Sequence, residues 1–120
     1  MTGSDGARRP RDGRNASPGE GPAAHGRIGG VELHGVLVCS DLDEAVLVKR
    51  HLPTHADLSR AEPGCLAFDV VPTADPLVFR VDEAFTDAEA FRAHQRRVAS
   101  SEWGHATAGI TREYTVEGLT

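Results

Sequence analysis

Short blocks of apolar residues, separated by polar stretches rich in Pro, Gly and Asp, make up residues 31–119. Runs of this length that contain Val, Phe, Tyr and Thr with partial alternation are typical of β-strands. The pattern predicts four strands, at residues 31–39, Cys65–Val71, Leu77–Phe85 and Ile110–Val116. Only residues 72–76 join the second and third strands, so we expect these two to pair as a hairpin.

A first helix is predicted between the first two strands. Asp41 is suited to cap it, because Glu44 follows three residues later in the capping-box position. Pro53 lies within the helical stretch, where it removes a backbone donor and crowds the preceding turn. We therefore expect a break near Leu52, a second helical piece that opens at Pro53, and an end at residues 62–64.

A second helix is predicted after the third strand. Thr86 and Glu89 form a Thr-x-x-Glu capping box at its start, and the helix runs to about Val98. Phe91, His94 and Val98 fall at positions i, i+3 and i+7, so they share one face of this helix. An ionisable ring on an apolar helix face is the strongest lead to chemistry in the chain.

The predicted order β-α-β-β-α-β is that of the ferredoxin-like α+β fold, with a four-stranded antiparallel sheet and both helices on one face. In its strand order, 4-1-3-2, the third strand lies between the first and the second. Residues 101–108 are expected to be irregular or to form a short turn.

Both faces of the hairpin strands carry apolar residues, although a sheet with one face in water should alternate cleanly. We therefore expect the second face to meet the same face of another copy in a homodimer.

Residues 1–30 differ in composition from the rest of the chain. They contain eight of the thirteen glycines, three of the seven prolines and hardly any apolar residue. We expect a disordered tail there and one folded domain over residues 31–119, because so little apolar surface cannot offset the entropy lost on ordering.

The tail has five arginines against three acids, whereas the domain has eight basic and fifteen acidic residues. This balance argues against nucleic-acid binding. Without a secretory signal or an apolar run of roughly 18 residues for a membrane span, we expect a cytoplasmic protein.

Neither a disulfide nor a metal site is predicted. Cys39 ends the first strand and Cys65 begins the second, which places them at opposite ends of the sheet, beyond the roughly 7 Å that a disulfide allows. We expect both to be buried thiols. His51 and His55 have the spacing of half a helical zinc site, but Pro53 separates them and no further ligands cluster nearby.

Several segments are together similar to one known family. They are Leu52-Pro53 before His55, residues 58–66, Phe79 with Glu83, residues 91–95 (FRAHQ), residues 101–104 (SEWG), Gly109-Ile110 and Tyr114. On these segments, residues 33–117 resemble the antibiotic biosynthesis monooxygenase family of dimeric α+β barrels, which includes small quinol monooxygenases. The resemblance implies a cofactor-independent oxygenase that acts on a hydroquinone-like or polyketide-like aromatic with molecular oxygen. It implies neither metal nor flavin, and the chain has no GxGxxG after a strand and no P-loop.

Such chemistry needs a base, a dry pocket and a way to hold both reactants. Molecular oxygen is a triplet and reacts poorly with closed-shell carbon, whereas a phenolate or hydroquinone anion can donate one electron to it. His94 titrates near neutrality and matches the histidine of the family's second helix, so it is the expected catalytic base. A structural histidine with a hydrogen-bond partner is the alternative.

Further residues are expected to contact the substrate: His34, His55, Phe91, Trp103 and Arg112. Phe91 flanks His94 on the second helix, and Trp103 follows that helix, where its ring could cover the mouth of a pocket and stack on an aromatic substrate. His34 is expected to face the cavity from the first strand. For Trp103 the alternative is to anchor the last loop by packing, and for His55 it is a structural role.

Other polar groups have simpler interpretations. The carboxylate of Glu83 points with the phenylalanines of its strand, so it either has a partner across the sheet, which we favour, or belongs to the pocket. Arg60 and Glu62 are interpreted as a pair at the end of the first helix. Arg112 and Tyr114 share a face of the last strand and could reach a dimer partner.

Two other functions stay open. An isomerase or related enzyme on a small carbonyl metabolite is one, since relatives with a similar His-Gln helix act on a phosphorylated signalling metabolite. A non-catalytic ligand-binding dimer is the other. Haem degradation is disfavoured. The haem-degrading relatives have tryptophan at the position of His94 and asparagine in the first strand, where this chain has His34 and Gly35. A closed apolar cavity of roughly 300 Å³ or more beside His94 would favour an aromatic ligand, and a filled core would favour the scaffold.

Overall fold

The computed structural model describes residues 30–119, so the tail expected over residues 1–30 lies almost wholly outside the described residues. The elements are β1 (Val31–Val38), α1 (Leu42–Arg60), β2 (Cys65–Pro72), β3 (Val78–Phe85), α2 (Ala88–Ala99), α3 (Glu102–Ala106) and β4 (Thr111–Glu117). The predicted β-α-β-β-α-β order is confirmed. The short helix α3 lies where a turn or irregular segment was expected.

The four strands form one antiparallel sheet in the order β2-β3-β1-β4. This is the ferredoxin-like arrangement that the sequence predicted, with the third strand between the first and the second. The strands β2 and β3 pair as the expected hairpin, with a register shift between Cys65 and Ala67. The α+β fold class is therefore confirmed.

One face of the sheet carries the hydrophobic core. Leu37 of β1 and Phe79 of β3 are direct partners and almost fully buried on this face. Direct partners in an antiparallel pair point to the same side, so the pairs of Leu33 with Glu83 and of Gly35 with Tyr114 place two polar side chains there too. The helix α1 packs against β2, and α2 packs against β3, over this face.

The helix α1 is continuous from Leu42 to Arg60, so the predicted break near Leu52 and the separate piece that opens at Pro53 are wrong. A proline removes the hydrogen bond to the carbonyl four residues earlier, here that of Lys49. Lys49 and Pro53 are both exposed, so water can solvate the carbonyl that loses its donor.

Aspartates cap both long helices. Asp41 accepts a hydrogen bond from the backbone N–H of Glu44 at 2.9 Å, which confirms the predicted cap. Asp87, and not Thr86, caps α2 by accepting from the N–H of Ala90 at 2.8 Å, so α2 begins one residue later than its capping box predicts. A carboxylate also opposes the positive end of the helix dipole, which a threonine hydroxyl does not.

Cys39 and Cys65 are free thiols, Cys39 buried as expected and Cys65 only partly buried. None of the helices between residues 30 and 119 combines the length and apolar character that a membrane span requires.

Candidate active site

The helix α2 places His94 beneath the sheet, where its side chain is 3% exposed. The centroid of its ring lies 5.0 Å from that of Phe85 and 6.0 Å from that of Phe68. Phe91 is buried one turn earlier on the same helix, as the amphipathic spacing predicted. His94 is therefore enclosed by aromatic side chains of the core.

A carboxylate fixes the orientation of the His94 ring. Its Nδ1 atom lies 2.9 Å from Oε1 of Glu62, so a neutral ring that donates from Nδ1 keeps the lone pair of Nε2 free. The other carboxylate oxygen of Glu62 accepts from Nε of Arg97 at 2.5 Å, and Nη2 of Arg97 donates to Oγ of Ser59 at 2.9 Å. These contacts tie the end of α1 to α2 and hold the imidazole in one orientation.

The pair predicted between Arg60 and Glu62 is wrong. Arg60 donates to the carbonyl of Phe68, from Nη2 at 2.8 Å and from Nε at 3.1 Å. Glu62 lies beyond the end of α1, in the turn that leads to β2, and its side chain reaches α2 instead. No local pattern indicates this role, because the partners His94 and Arg97 are 32 and 35 residues away in the sequence.

Burial lowers the pKa of His94 below its ordinary value, although the nearby carboxylate of Glu62 acts in the opposite direction. The charged ring loses more hydration on burial than the carboxylate returns. His94 is therefore neutral at pH 7 and able to accept a proton at Nε2.

Glu83 faces His94 from the sheet. Its Oε1 atom is 3.7 Å from Nε2 of His94, and the residue is 8% exposed. Burial first, and then the charge of Glu62, raise the pKa of Glu83 to about 7, so the acid and the carboxylate coexist near neutrality. The role favoured from the sequence, a carboxylate with a partner across the sheet, is wrong, because Glu83 lines a cavity.

That cavity has a volume of about 150 Å³. It is lined by Leu33, His55, Phe68, Val70, Val81, Glu83, His94, Gln95, Val98, Trp103, Arg112 and Tyr114. Gln95 and Arg112 are exposed, so the cavity meets the solvent on their side. It is about half the roughly 300 Å³ expected for a drug-sized ligand, and a cavity of this size accommodates a single benzene ring.

His55 and Trp103 form a planar wall of the cavity. Their rings are stacked with centroids 4.4 Å apart and planes 5° from parallel, and Phe68 meets His55 edge-on at 5.0 Å. Burial, followed by repulsion from His94 when that ring is protonated, lowers the pKa of His55 to about 3, so this ring is neutral. Its buried Nδ1 atom has no hydrogen-bond partner within residues 30–119. His55 therefore offers a flat, uncharged surface rather than a second base.

Arg112 is held at the mouth of the cavity. Its Nη1 atom donates to the carbonyls of Thr107 and Ile110 at 2.7 and 3.0 Å, and Nη2 donates to Oγ1 of Thr107 at 2.8 Å. Arg112 and Tyr114 thus contribute to the cavity and do not point to the opposite face, through which a dimer was predicted.

The structure brings together four of the six residues predicted for the site: His94, His55, Trp103 and Arg112. Phe91 does not line the cavity, because it packs against Phe85 at a centroid distance of 5.5 Å. Glu62, Glu83 and Arg97 were not predicted as site residues. Within residues 30–119, His, Cys, Asp and Glu side chains do not cluster in a group of three or more that could hold a metal ion.

The expectation that His34 faces the cavity is wrong. Leu33 and Leu37 point to the core, so strand alternation directs His34 to the opposite face of the sheet. There Nδ1 of His34 lies 2.7 Å from Oδ1 of Asp82, and Nε2 lies 3.0 Å from Oε1 of Glu32.

Comparison with known proteins places this geometry in a family. The sequence profile of antibiotic biosynthesis monooxygenases matches residues 42–106. No curated protein is detectably similar in sequence.

Several solved structures share the fold. A candidate antibiotic biosynthesis monooxygenase from Nitrosomonas europaea is 24% identical, with a TM-score of 0.62 over 74% of this chain and 96% of its own. Rv0793 from Mycobacterium tuberculosis is 19% identical, with a TM-score of 0.59 over 72% of this chain and 91% of its own. MupZ from Pseudomonas fluorescens is 16% identical, with a TM-score of 0.62 over 81% of this chain and 70% of its own. These likenesses support the fold, and the profile match spans more than half of the sequence, so this chain belongs to the antibiotic biosynthesis monooxygenase family.

Proposed function

We propose that this protein is a cofactor-independent monooxygenase that oxidises a hydroquinone-like, single-ring aromatic with molecular oxygen. The observation that carries the proposal is the Nε2 atom of His94, which Glu62 orients beside a cavity the size of one aromatic ring. Membership of the family supports activity of this general type. The nature of the substrate is inferred from the volume and lining of the cavity.

In the proposed reaction, His94 removes a hydroxyl proton from the substrate through Nε2. The hydrogen bond from Nδ1 to Glu62 stabilises the imidazolium that forms. The substrate anion is electron-rich and transfers one electron to oxygen, and the two radicals then combine. For a hydroquinone, the balanced reaction with one O₂ gives one hydroxyquinone and one water. One oxygen atom enters the ring, and all four electrons taken up by oxygen come from the substrate.

The cavity favours small substrates over fused polyketide rings. At about 150 Å³ it holds one ring, and the His55–Trp103 stack forms a flat wall against which that ring can lie. A tricyclic substrate would require the cavity to open. The hydroquinone-like class is therefore the better of the two substrate classes that the sequence suggested.

Oxygen uptake with a panel of hydroquinones tests the proposal. We expect consumption of one O₂ per single-ring substrate, slower turnover of fused-ring compounds, and no turnover of the dimethyl ether of the same ring, which has no proton to lose. Added catalase distinguishes the enzyme from autoxidation, because a monooxygenase reduces the second oxygen atom to water and releases no peroxide. Uptake at the buffer rate, or one peroxide per O₂, would contradict the proposal.

A second candidate function is proton transfer next to the carbonyl group of a small metabolite. One observation favours it: His94 and Glu83 offer two proton-transfer groups 3.7 Å apart in one cavity. Exchange of α-protons of small ketones in deuterated water, followed by NMR, is the test. Exchange without oxygen uptake would favour this function over oxygenation.

We also propose a homodimer that forms through the outer face of the sheet. Val36, Val38 and Val78 lie on this face and are partly buried, and a second sheet would cover them further. Size-exclusion chromatography at low micromolar concentration is the test, and a monomer under these conditions would exclude the dimer.

A further inference from the structure

We propose that Glu83 is a second catalytic residue, which as a carboxylic acid donates a hydrogen bond to the oxyanion formed when His94 deprotonates a bound hydroxyl. The inference rests on the proposed function for the identity of the substrate. Its chemistry applies to any small phenol or enol that the cavity admits.

The positions of the two groups carry the inference. Oε1 of Glu83 and Nε2 of His94 are 3.7 Å apart, which is too far for a hydrogen bond between them. It is close enough for one hydroxyl oxygen to lie within about 2.8 Å of both atoms. They belong to different elements, β3 and α2, and both line the cavity. A hydroxyl between them can give its proton to one group and accept a hydrogen bond from the other.

The surroundings of Glu83 favour its neutral form. A buried carboxylate normally accepts several hydrogen bonds, yet among residues 30–119 the only ion-pair contact of this one is the 3.7 Å approach to Nε2 of His94, a histidine that is itself neutral. The charged and titratable groups that line the same cavity or act on Glu83 through their charge come from every neighbouring element that carries one. They are His94 on α2, His55 on α1, Glu62 before β2, Arg112 and Tyr114 on β4, and Asp82, which lies on the opposite face of the sheet. Burial and the charge of Glu62 raise the pKa of Glu83 more than the Arg112 guanidinium lowers it.

Proton transfer is balanced in this arrangement. The O–H bond of the substrate breaks, an N–H bond forms at Nε2 of His94, and the proton of Glu83 stays on its own oxygen. Glu62 stabilises the imidazolium and Glu83 stabilises the oxyanion. The active form therefore needs a neutral His94 and a protonated Glu83, so kcat/KM should fall at low pH when His94 is protonated and at high pH when Glu83 ionises.

Binding of 4-nitrophenol tests the role of Glu83 without turnover, because the visible absorbance of the phenolate reports its ionisation in the cavity. Glu83→Gln keeps a hydrogen-bond donor of the same size, whereas Glu83→Leu removes it. Glu89→Gln makes the same chemical change at an exposed position of α2, away from the cavity and from the proposed dimer face, and is the matched control. We expect Glu83→Leu to weaken phenolate binding by on the order of tenfold or more, with binding of the neutral phenol unchanged. Glu83→Gln should keep phenolate binding, including at alkaline pH, where the wild type loses it.

Turnover provides the second measurement. We expect Glu83→Leu to lower kcat by on the order of 10²–10³-fold, as for the loss of an oxyanion donor, and Glu83→Gln to lose the alkaline limb of the pH profile. If the glutamine variant loses phenolate binding and turnover as fully as the leucine variant, Glu83 acts as a base and the proposal is wrong. If both variants match the wild type, Glu83 is only structural and the proposal is again wrong.

Two further outcomes are also decisive: one covers a leucine variant that does not fold, and the other separates this test from that of the oxygenase. Should Glu83→Leu fail to fold, as shown by its thermal unfolding, the alkaline limb of the glutamine variant decides alone: its loss supports the proposal and its persistence overturns it. If hydroquinones give no oxygen uptake while phenolate binding still depends on Glu83, the oxygenase is refuted and the role of Glu83 stands.

Discussion

Two histidines of this chain each lie between two carboxyl groups, one on either face of the sheet. On the inner face His94 lies between Glu62 and Glu83, and on the outer face His34 lies between Asp82 and Glu32. The pKa of His94 is lowered, whereas that of His34 is raised to about 9. Similar carboxyl neighbours therefore accompany a neutral imidazole at His94 and an imidazolium at His34.

Exposure and hydrogen bonding decide between these outcomes. The side chain of His34 is 44% exposed, and both of its ring nitrogens lie within hydrogen-bond distance of a carboxylate, which requires a proton on each. The His94 side chain is 3% exposed and has one such bond, and Arg97 adds a positive charge nearby. Only the buried histidine is left with a free lone pair, so burial rather than the number of acidic neighbours makes a base.

Replacing each histidine by glutamine tests this difference most directly. We expect His94→Gln to lower kcat/KM for a turned-over hydroquinone by about 10²–10⁴-fold, because the amide cannot accept the substrate proton. His34→Gln should leave kcat/KM unchanged, since that ring is already protonated and lies on the other side of the sheet. Initial rates of oxygen uptake measure both.

Thermal unfolding of the two variants controls for loss of structure. Equal losses of activity in both variants, at equal stability, would show that the inner histidine has no special role. A His94→Gln variant that retains full activity would remove the base from the mechanism.

The carboxylate partners provide a second, smaller contrast. Glu62 raises the pKa of both His94 and Glu83, so we expect Glu62→Gln to move both limbs of the kcat/KM profile to lower pH. The rate at the optimum should fall on the order of ten- to hundredfold, because the imidazolium loses a charged hydrogen bond. Asp82→Asn removes the corresponding partner of His34 and should shift the profile much less. A profile that does not move in Glu62→Gln would show that this carboxylate does not control the proton on His94.

The sequence correctly predicts that His94 lies in the core, whereas the prediction that His34 faces the cavity is wrong. The amphipathic spacing of Phe91 and His94 places the ring in the core, since helix periodicity is a local property. Strand alternation from the buried Leu33 directs His34 outward, and the expectation that His34 faces the cavity did not follow this local rule.

The roles of Glu62 and Glu83 could not be read from local patterns. Glu62 lies in a turn, where the sequence has no periodicity, and it acts on His94, which is 32 residues away. The burial of Glu83 depends on how α2 covers β3, a tertiary contact that hydrophobic patterns do not encode. The same limit applies at Pro53, because a local pattern does not show that Lys49, whose carbonyl loses its donor, is exposed to water in the folded chain.

The smallest expected effect concerns the stability that His34 contributes. Its pKa is about 9 in the folded chain and 6.5 in the unfolded one, so the folded state binds the proton more tightly. This stabilisation is fully present below pH 6.5 and is lost as the pH rises through about 9. Because the side chain is 44% exposed, we expect His34→Gln to lower the free energy of unfolding by about 1 kcal/mol or less at low pH. Urea unfolding of both proteins at about pH 6 and about pH 10 measures the difference, which should vanish at the higher pH. A loss of the same size at both values would mean that His34 stabilises the outer face by packing and not by its charge, and the electrostatic contrast between the two faces would then be wrong.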